Sequence, residues 1–146
     1  MKRHIVCLLC LLLLATRTEA QVLQLITEDE ARLPVAQEST EQSPPRAISR
    51  GPGINLASAD TVAREGFPLR IVFEPRGGVA IDPDSVRILY LKEPPVDLTD
   101  RLKALILPTG IEVPAVTAPA GEHPLQVTVR DSNGRQSVKK INLVVR

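Results

Sequence analysis

Two alternating runs joined by an Asn-Gly turn constrain this chain more than any other feature in it. Leu125, Val127 and Val129 alternate with Gln126, Thr128 and Arg130. Asp131-Ser132-Asn133-Gly134 follows, and then Ile141, Leu143 and Val145 alternate on the way back. Successive strand side chains point to opposite faces, so each run is a strand with one apolar face. Asn and Gly tolerate the positive φ of a tight hairpin turn, which makes the pair antiparallel neighbours. Val138 is out of phase with Ile141, so a bulge near Lys139-Lys140 is expected, and the two lysines read as protection of an edge strand.

The rest of the C-terminal two thirds has the same character. In Pro68 to Glu74, Leu69, Ile71 and Phe73 share one face, opposite Arg70 and Glu74. Ser85 to Lys92 sets Val86, Ile88 and Tyr90 against Leu89 and Leu91, the pattern of a central strand or one covered on its outer face. Short alternating runs between Gly, Pro, Asp and Asn clusters are how a β-sandwich reads. One segment differs. Asp97 to Ile106 offers Asp97 or Thr99 as an N-cap and spaces Leu98, Leu102 and Leu105 or Ile106 along one helical face. A short helix inserted between strands follows, reached through Glu93-Pro94-Pro95-Val96 as a rigid extended connector.

Residues 1–20 have the three parts of a cleavable secretory signal. These are Lys2 and Arg3, the apolar run Ile5 to Ala15, and the small-residue site Thr18-Glu19-Ala20. The run is too short for a membrane span, which needs roughly 20 residues. Cys7 and Cys10 lie inside it, so the mature chain has no cysteine and depends on an aliphatic core. Removing Lys2, Arg3, Arg17 and Glu19 from 18 basic and 17 acidic residues leaves 15 and 16. That near-neutral balance, with Phe67, Phe73 and Tyr90 as the only aromatics, provides neither a phosphate-binding face nor a base-stacking platform, so nucleic acid is excluded as a partner.

Residues 21–50 are rich in Glu, Gln, Ser and Pro and read as a flexible acidic arm, too poor in apolar side chains to offset the entropy of ordering. Within the arm, Thr27 and Glu30 fit a capping box, and Val22, Leu25 and Ile26 would form a docking motif if the arm docked. A solvated tail is the preferred reading, because so short a helix is marginal without a surface beneath it. The organisation is therefore a signal peptide (1–20), a disordered arm (21–50) and an all-β, immunoglobulin-like sandwich domain (51–146).

The run Gly121-Glu122-His123-Pro124-Leu125-Gln126-Val127-Thr128-Val129-Arg130-Asp131-Ser132-Asn133-Gly134 resembles the penultimate strand and turn of bacterial immunoglobulin-like domains. Phe73-Glu74-Pro75-Arg76-Gly77-Gly78, Ile81-Asp82-Pro83-Asp84-Ser85-Val86 and Asp97-Leu98-Thr99-Asp100-Arg101 are similar to blocks of a family of small exported proteobacterial proteins with no assigned activity. The resemblance implies a fold and an exported location. It implies no activity. The periplasmic destination is a separate expectation, preferred to the extracellular medium.

Catalysis has little to stand on. His123 is the one mature histidine, has no Cys or Met ligand near it, and no nucleophile stands at a motif spacing from it. A strand-start side chain bonded to a neighbouring loop is the expected role, and neither an enzyme nor a cofactor is expected. Asp82, Asp84, Asp97, Asp100 and Asp131 could gather at one end of the sandwich around calcium, although Asp and Asn in such places usually close turns with their own backbone. The functional expectation is an exported, non-catalytic interaction or structural module of the cell envelope, with a small-ligand or calcium-binding protein as the alternative. A protein partner is expected on the inserted segment, through the outward charges Asp100, Arg101 and Lys103.

Overall fold

Alternation builds two sheets that share one aliphatic core, and a computed structural model describes them over residues 22–36, 51–59, 61–64 and 66–146. The strands are β1 (Leu23–Gln24), β2 (Gly53–Leu56), β3 (Thr61–Val62), β4 (Phe67–Glu74), β5 (Ile81–Tyr90), β6 (Val96–Asp97), β7 (Ile106–Leu107), β8 (Gly110–Thr117), β9 (Gly121–Asp131) and β10 (Gln136–Val145). The helices are α1 (Glu28–Arg32) and α2 (Thr99–Leu102), the latter continued by a 3-10 turn over Lys103–Leu105. One sheet runs β1-β8-β4-β2 with β7 also on β8, and the other β3-β10-β9-β5-β6. The expected immunoglobulin-like β-sandwich with a short helix between strands is the fold observed. The expected signal peptide (1–20) and residues 37–50 of the expected arm lie outside the described residues.

The inward face of each long strand is the one its alternation predicts. Leu69, Ile71 and Phe73 of β4, Val86, Ile88 and Tyr90 of β5, and Leu125, Val127 and Val129 of β9 are all buried. Burying side chains of this size is worth about 1.5–3 kcal/mol each, which is how a domain without a disulfide holds together. In β8 the buried positions go Ile111, Val113 and then Val116. The skipped phase is a bulge, because Val113 and Val116 oppose Leu69 and Phe67, three steps on one strand against two on the other. That interruption at Pro114-Ala115 hides β8 from a search for strict alternation, and the sequence reading passes over it.

Three local expectations need correction. No bulge interrupts β10: its register with β9 runs unbroken from Gln136↔Arg130 to Val145↔Gly121. Val138 instead points outward and is exposed, while Lys139, opposite Val127, takes an inward-facing position at the open edge. A charge on the inward face of an edge strand deters pairing with another sheet. In the β9–β10 turn only Gly134 has positive φ (77°); Asn133 does not, so this is a longer loop closed by Gly134 N–H to Asp131 O. The connector after β5 is not extended, since the chain reverses, with a cis Glu93–Pro94 bond, and β6 pairs back onto β5.

The largest correction concerns the arm. Residues 22–36 are folded onto the sandwich, not solvated: β1 pairs parallel with β8, and Leu25 and Ile26 are fully buried in the core. The capping box is present, with Glu30 N–H on the Thr27 hydroxyl and Thr27 N–H on the Glu30 carboxylate. A five-residue helix is marginal alone, and the partners that it lacked in local sequence are supplied by Arg64, Lys92 and Arg101. The docking-motif reading holds for Leu25 and Ile26; Val22 remains half exposed.

Candidate functional site

Two places combine chemistry with shape. The first is a concavity of about 450 Å³ between the start of β5 and the inserted α2 segment, lined by Asp84, Arg87, Asp97, Asp100, Lys103 and Ile106 among others. One wall exists because β5 is bulged: Asp82 opposes Arg130 while Arg87 opposes Thr128, so residues 83–86 lie between registers. The Ser85 hydroxyl repairs the gap by accepting from Arg130 N–H at 2.9 Å and donating to Asp82 O at 2.6 Å. The other wall is α2, fixed by Leu98 and Leu102, which are buried as the sequence predicts. Asp97 Oδ1 accepts from Thr99 N–H, while the Thr99 hydroxyl accepts from Ile88 N–H and ties α2 to β5.

The three residues predicted to meet a partner are not brought together. Asp100 and Lys103 are exposed on the groove, three positions apart and so on one helical face. Arg101, one residue on from Asp100, points elsewhere, as a helix rotates about 100° per residue. Its guanidinium binds both Glu30 carboxylate oxygens and donates to Leu25 O at 2.7 Å. Arg101 thus meets the chain's own N-terminal segment. Its hydrogen bond to Glu30 is the main reason that this carboxyl titrates at about 2.

The second place is a buried polar row, in which His123 is bonded to the neighbouring loop as the sequence leads one to expect, while its burial beside Lys92 is what sequence reasoning missed. Val86, Ile88 and Tyr90 define the inward phase of β5, and Lys92 falls in the same phase, 5% exposed. Lysine in a core phase was the available signal. Its ammonium donates to Ala31 O and Leu33 O at 2.9 Å each, the open carbonyls at the end of α1, and lies 5.2 Å from the Tyr90 ring centroid. Next to it, Tyr90 OH is 2.8 Å from His123 Nδ1, and His123 Nε2 is 2.7 Å from Pro119 O. Because Pro119 O can only accept, Nε2 carries the proton and Nδ1 accepts from the tyrosine. Burial, with the Glu30 charge added, pushes the Tyr90 hydroxyl up to about 12. Burial also lowers His123 below its ordinary 6.5, aided by the nearby Lys92 charge and opposed by the Pro119 bond.

That shift has a sign. A histidine held neutral in the folded protein stabilises it fully above the unfolded pKa, and the contribution is lost as pH falls through that value toward the folded one. Unfolding free energy measured in urea should therefore drop from pH 7.5 to pH 5.5, and His123→Gln should flatten that slope while lowering stability at pH 7.5 by about 1–3 kcal/mol, because the Tyr90 hydroxyl loses a well-aligned acceptor. An unchanged slope would place the acid sensitivity elsewhere.

The suspected acidic centre does not converge on one point. Asp84, Asp97 and Asp100 line the same groove, yet among the described residues no three His, Cys, Asp or Glu side chains are grouped closely enough to hold a metal ion. Asp131 is committed within its own turn, accepting from Asn133 and Arg135 backbone N–H and from the Arg135 side chain at 2.8 Å. Asp82 likewise accepts from Asp84 N–H. Such bonds are the turn-closing use of aspartate.

No family model matches this chain, and no curated protein matches it. Among solved structures it is similar to murine CRIg, at 12% identity and a TM-score of 0.40, over 64% of this chain and 97% of that one. No described helix is long and apolar enough to cross a membrane.

Proposed function

We propose that this protein is an exported, non-catalytic interaction module of the cell envelope, periplasmic in location, which contacts a protein partner through the groove beside α2. One observation carries the reading: the groove presents charges of both signs, and among the described residues Asp100 and Lys103 take part in no ion pair, whereas Glu30, Arg101 and Asp131 are engaged internally. Exposed side chains held on an ordered insertion without an internal partner are what a recognition surface offers. The leader-like residues 1–20 and the resemblance to exported proteins support the location.

A photo-cross-linking residue in place of Lys103, in the chain expressed with its own leader, should give a discrete protein adduct in the envelope fraction. Asp100→Ala with Lys103→Ala should remove an adduct formed from position 84 while shifting stability by less than about 0.5 kcal/mol, as exposed substitutions do. An adduct insensitive to the double change would move the contact off this face. A melting temperature that climbs with millimolar calcium would select the calcium alternative instead.

A further inference from the structure

Residues 22–36 lie across the sandwich as a strap, and every bond that fixes them there crosses residues 37–50. Leu23 and Gln24 pair with Val116 and Thr117, and Leu25 N–H donates to Thr117 O. At the other end Val35 bridges to Lys92, Ala36 N–H donates to Leu91 O, and Glu93 N–H donates to Pro34 O. Between these ends three cations of the body hold an acidic strap: Arg64 pairs with Glu28 at 3.0 Å, Arg101 with Glu30, and Lys92 binds the carbonyls that end α1. The seat is thus a strand edge, an apolar slot for Leu25-Ile26 and a set of cations.

Nothing in this recognition depends on the strap and the seat belonging to one chain. From Ala36 to Gly51 the backbone can span at most about 50 Å at ~3.4 Å per residue. A folded body of this size has a radius of gyration of about 13 Å, so a neighbouring molecule's seat is within reach. We propose that the seat is a strand-acceptor site for the N-terminal strap of a second copy of this chain, two copies exchanging straps symmetrically. Each keeps every bond described above, now made between chains. In dilute solution the tethered strap has a millimolar effective concentration on its own seat, so exchange appears when the chain's own pairing is impaired or protein concentration approaches that level. This inference is independent of the groove beside α2.

Charge exchange tests it with the full mature chain. In Glu30→Arg the strap arginine faces Arg101, and in Arg101→Glu the seat glutamate faces Glu30, so both chains oppose their own straps. Mixed, they restore an attractive pair at both seats only by exchanging. The expected result is two monomeric solutions that yield a one-to-one heterodimer on mixing, read by native mass spectrometry. The double variant E30R/R101E, which restores the pair within one chain, should be monomeric and form no heterodimer with the unaltered chain. If either single variant is unfolded alone, refolding the two together must still give the heterodimer. A mixture that stays monomeric, or remains unfolded after joint refolding, overturns the proposal, as does a heterodimer equally abundant between the unaltered chain and the double variant.

Discussion

Replacing Leu25 and Ile26 together with alanine should be the most damaging small change available in the first forty residues. Both side chains are wholly buried and belong to the same cluster as Ile71, Val127 and Leu143. Truncating one buried aliphatic to alanine costs about 2–5 kcal/mol, and two adjacent truncations add imperfectly, so about 4–8 kcal/mol is expected. Single domains are stable by only about 5–15 kcal/mol in total. The double variant should unfold at much lower urea than the parent, and trypsin should cut at Arg32 at once, where the parent resists. Val22→Ala, half exposed, should shift stability by less than about 0.5 kcal/mol. A double variant within about 1 kcal/mol of the parent would mean that the strap contributes nothing to the core.

That expectation runs against the composition of the segment, and the reason is physical. Averaged over 21–50, the chain is too polar to fold, and the average conceals Leu25-Ile26, two residues with a slot waiting for them. Thr27 and Glu30 were legible as a capping box because both partners lie within one turn. Arg101 was legible only as a charge on a helix, because its partner Glu30 is 71 residues away and nothing local records the pairing. The same divide runs through the sheets. Alternation in β4, β9 and the end of β10 reports burial directly, so those strands and their inward faces follow from sequence. Bulges break the alternation, which is why β8 went unread and why one was expected in β10 where the structure tolerates an outward valine and an inward lysine. Asp100 and Lys103 are exposed as expected, because burial of Leu98 and Leu102 turns them outward, whereas Arg101, expected on the same face, is turned to Glu30.

Arg101→Ala should cost more than any change on that open face. The guanidinium touches the strap at both its strand end, through Leu25 O, and its helix, through Glu30. Its side chain is 30% exposed and that of Glu30 17%, so solvent screens the pair only in part. Charge-assisted bonds of this kind contribute about 1.5–3 kcal/mol each, and removing the cation leaves a half-buried carboxylate without its counter-charge, so a loss of about 3 kcal/mol is expected. Arg101→Lys should recover only part of it, because an ammonium cannot reproduce the planar fork on both carboxylate oxygens. Acid titration separates this role from simple packing. With Arg101 present, Glu30 titrates at about 2 in the folded chain against an ordinary 4.5, a depressed carboxyl whose stabilisation is complete above 4.5 and is lost as pH falls toward 2. The unaltered protein should therefore lose stability across that window, and Arg101→Ala should lose distinctly less, its Glu30 having moved back up. If the two acid profiles ran parallel, Arg101 would be holding the strap through its aliphatic stem and not through its charge.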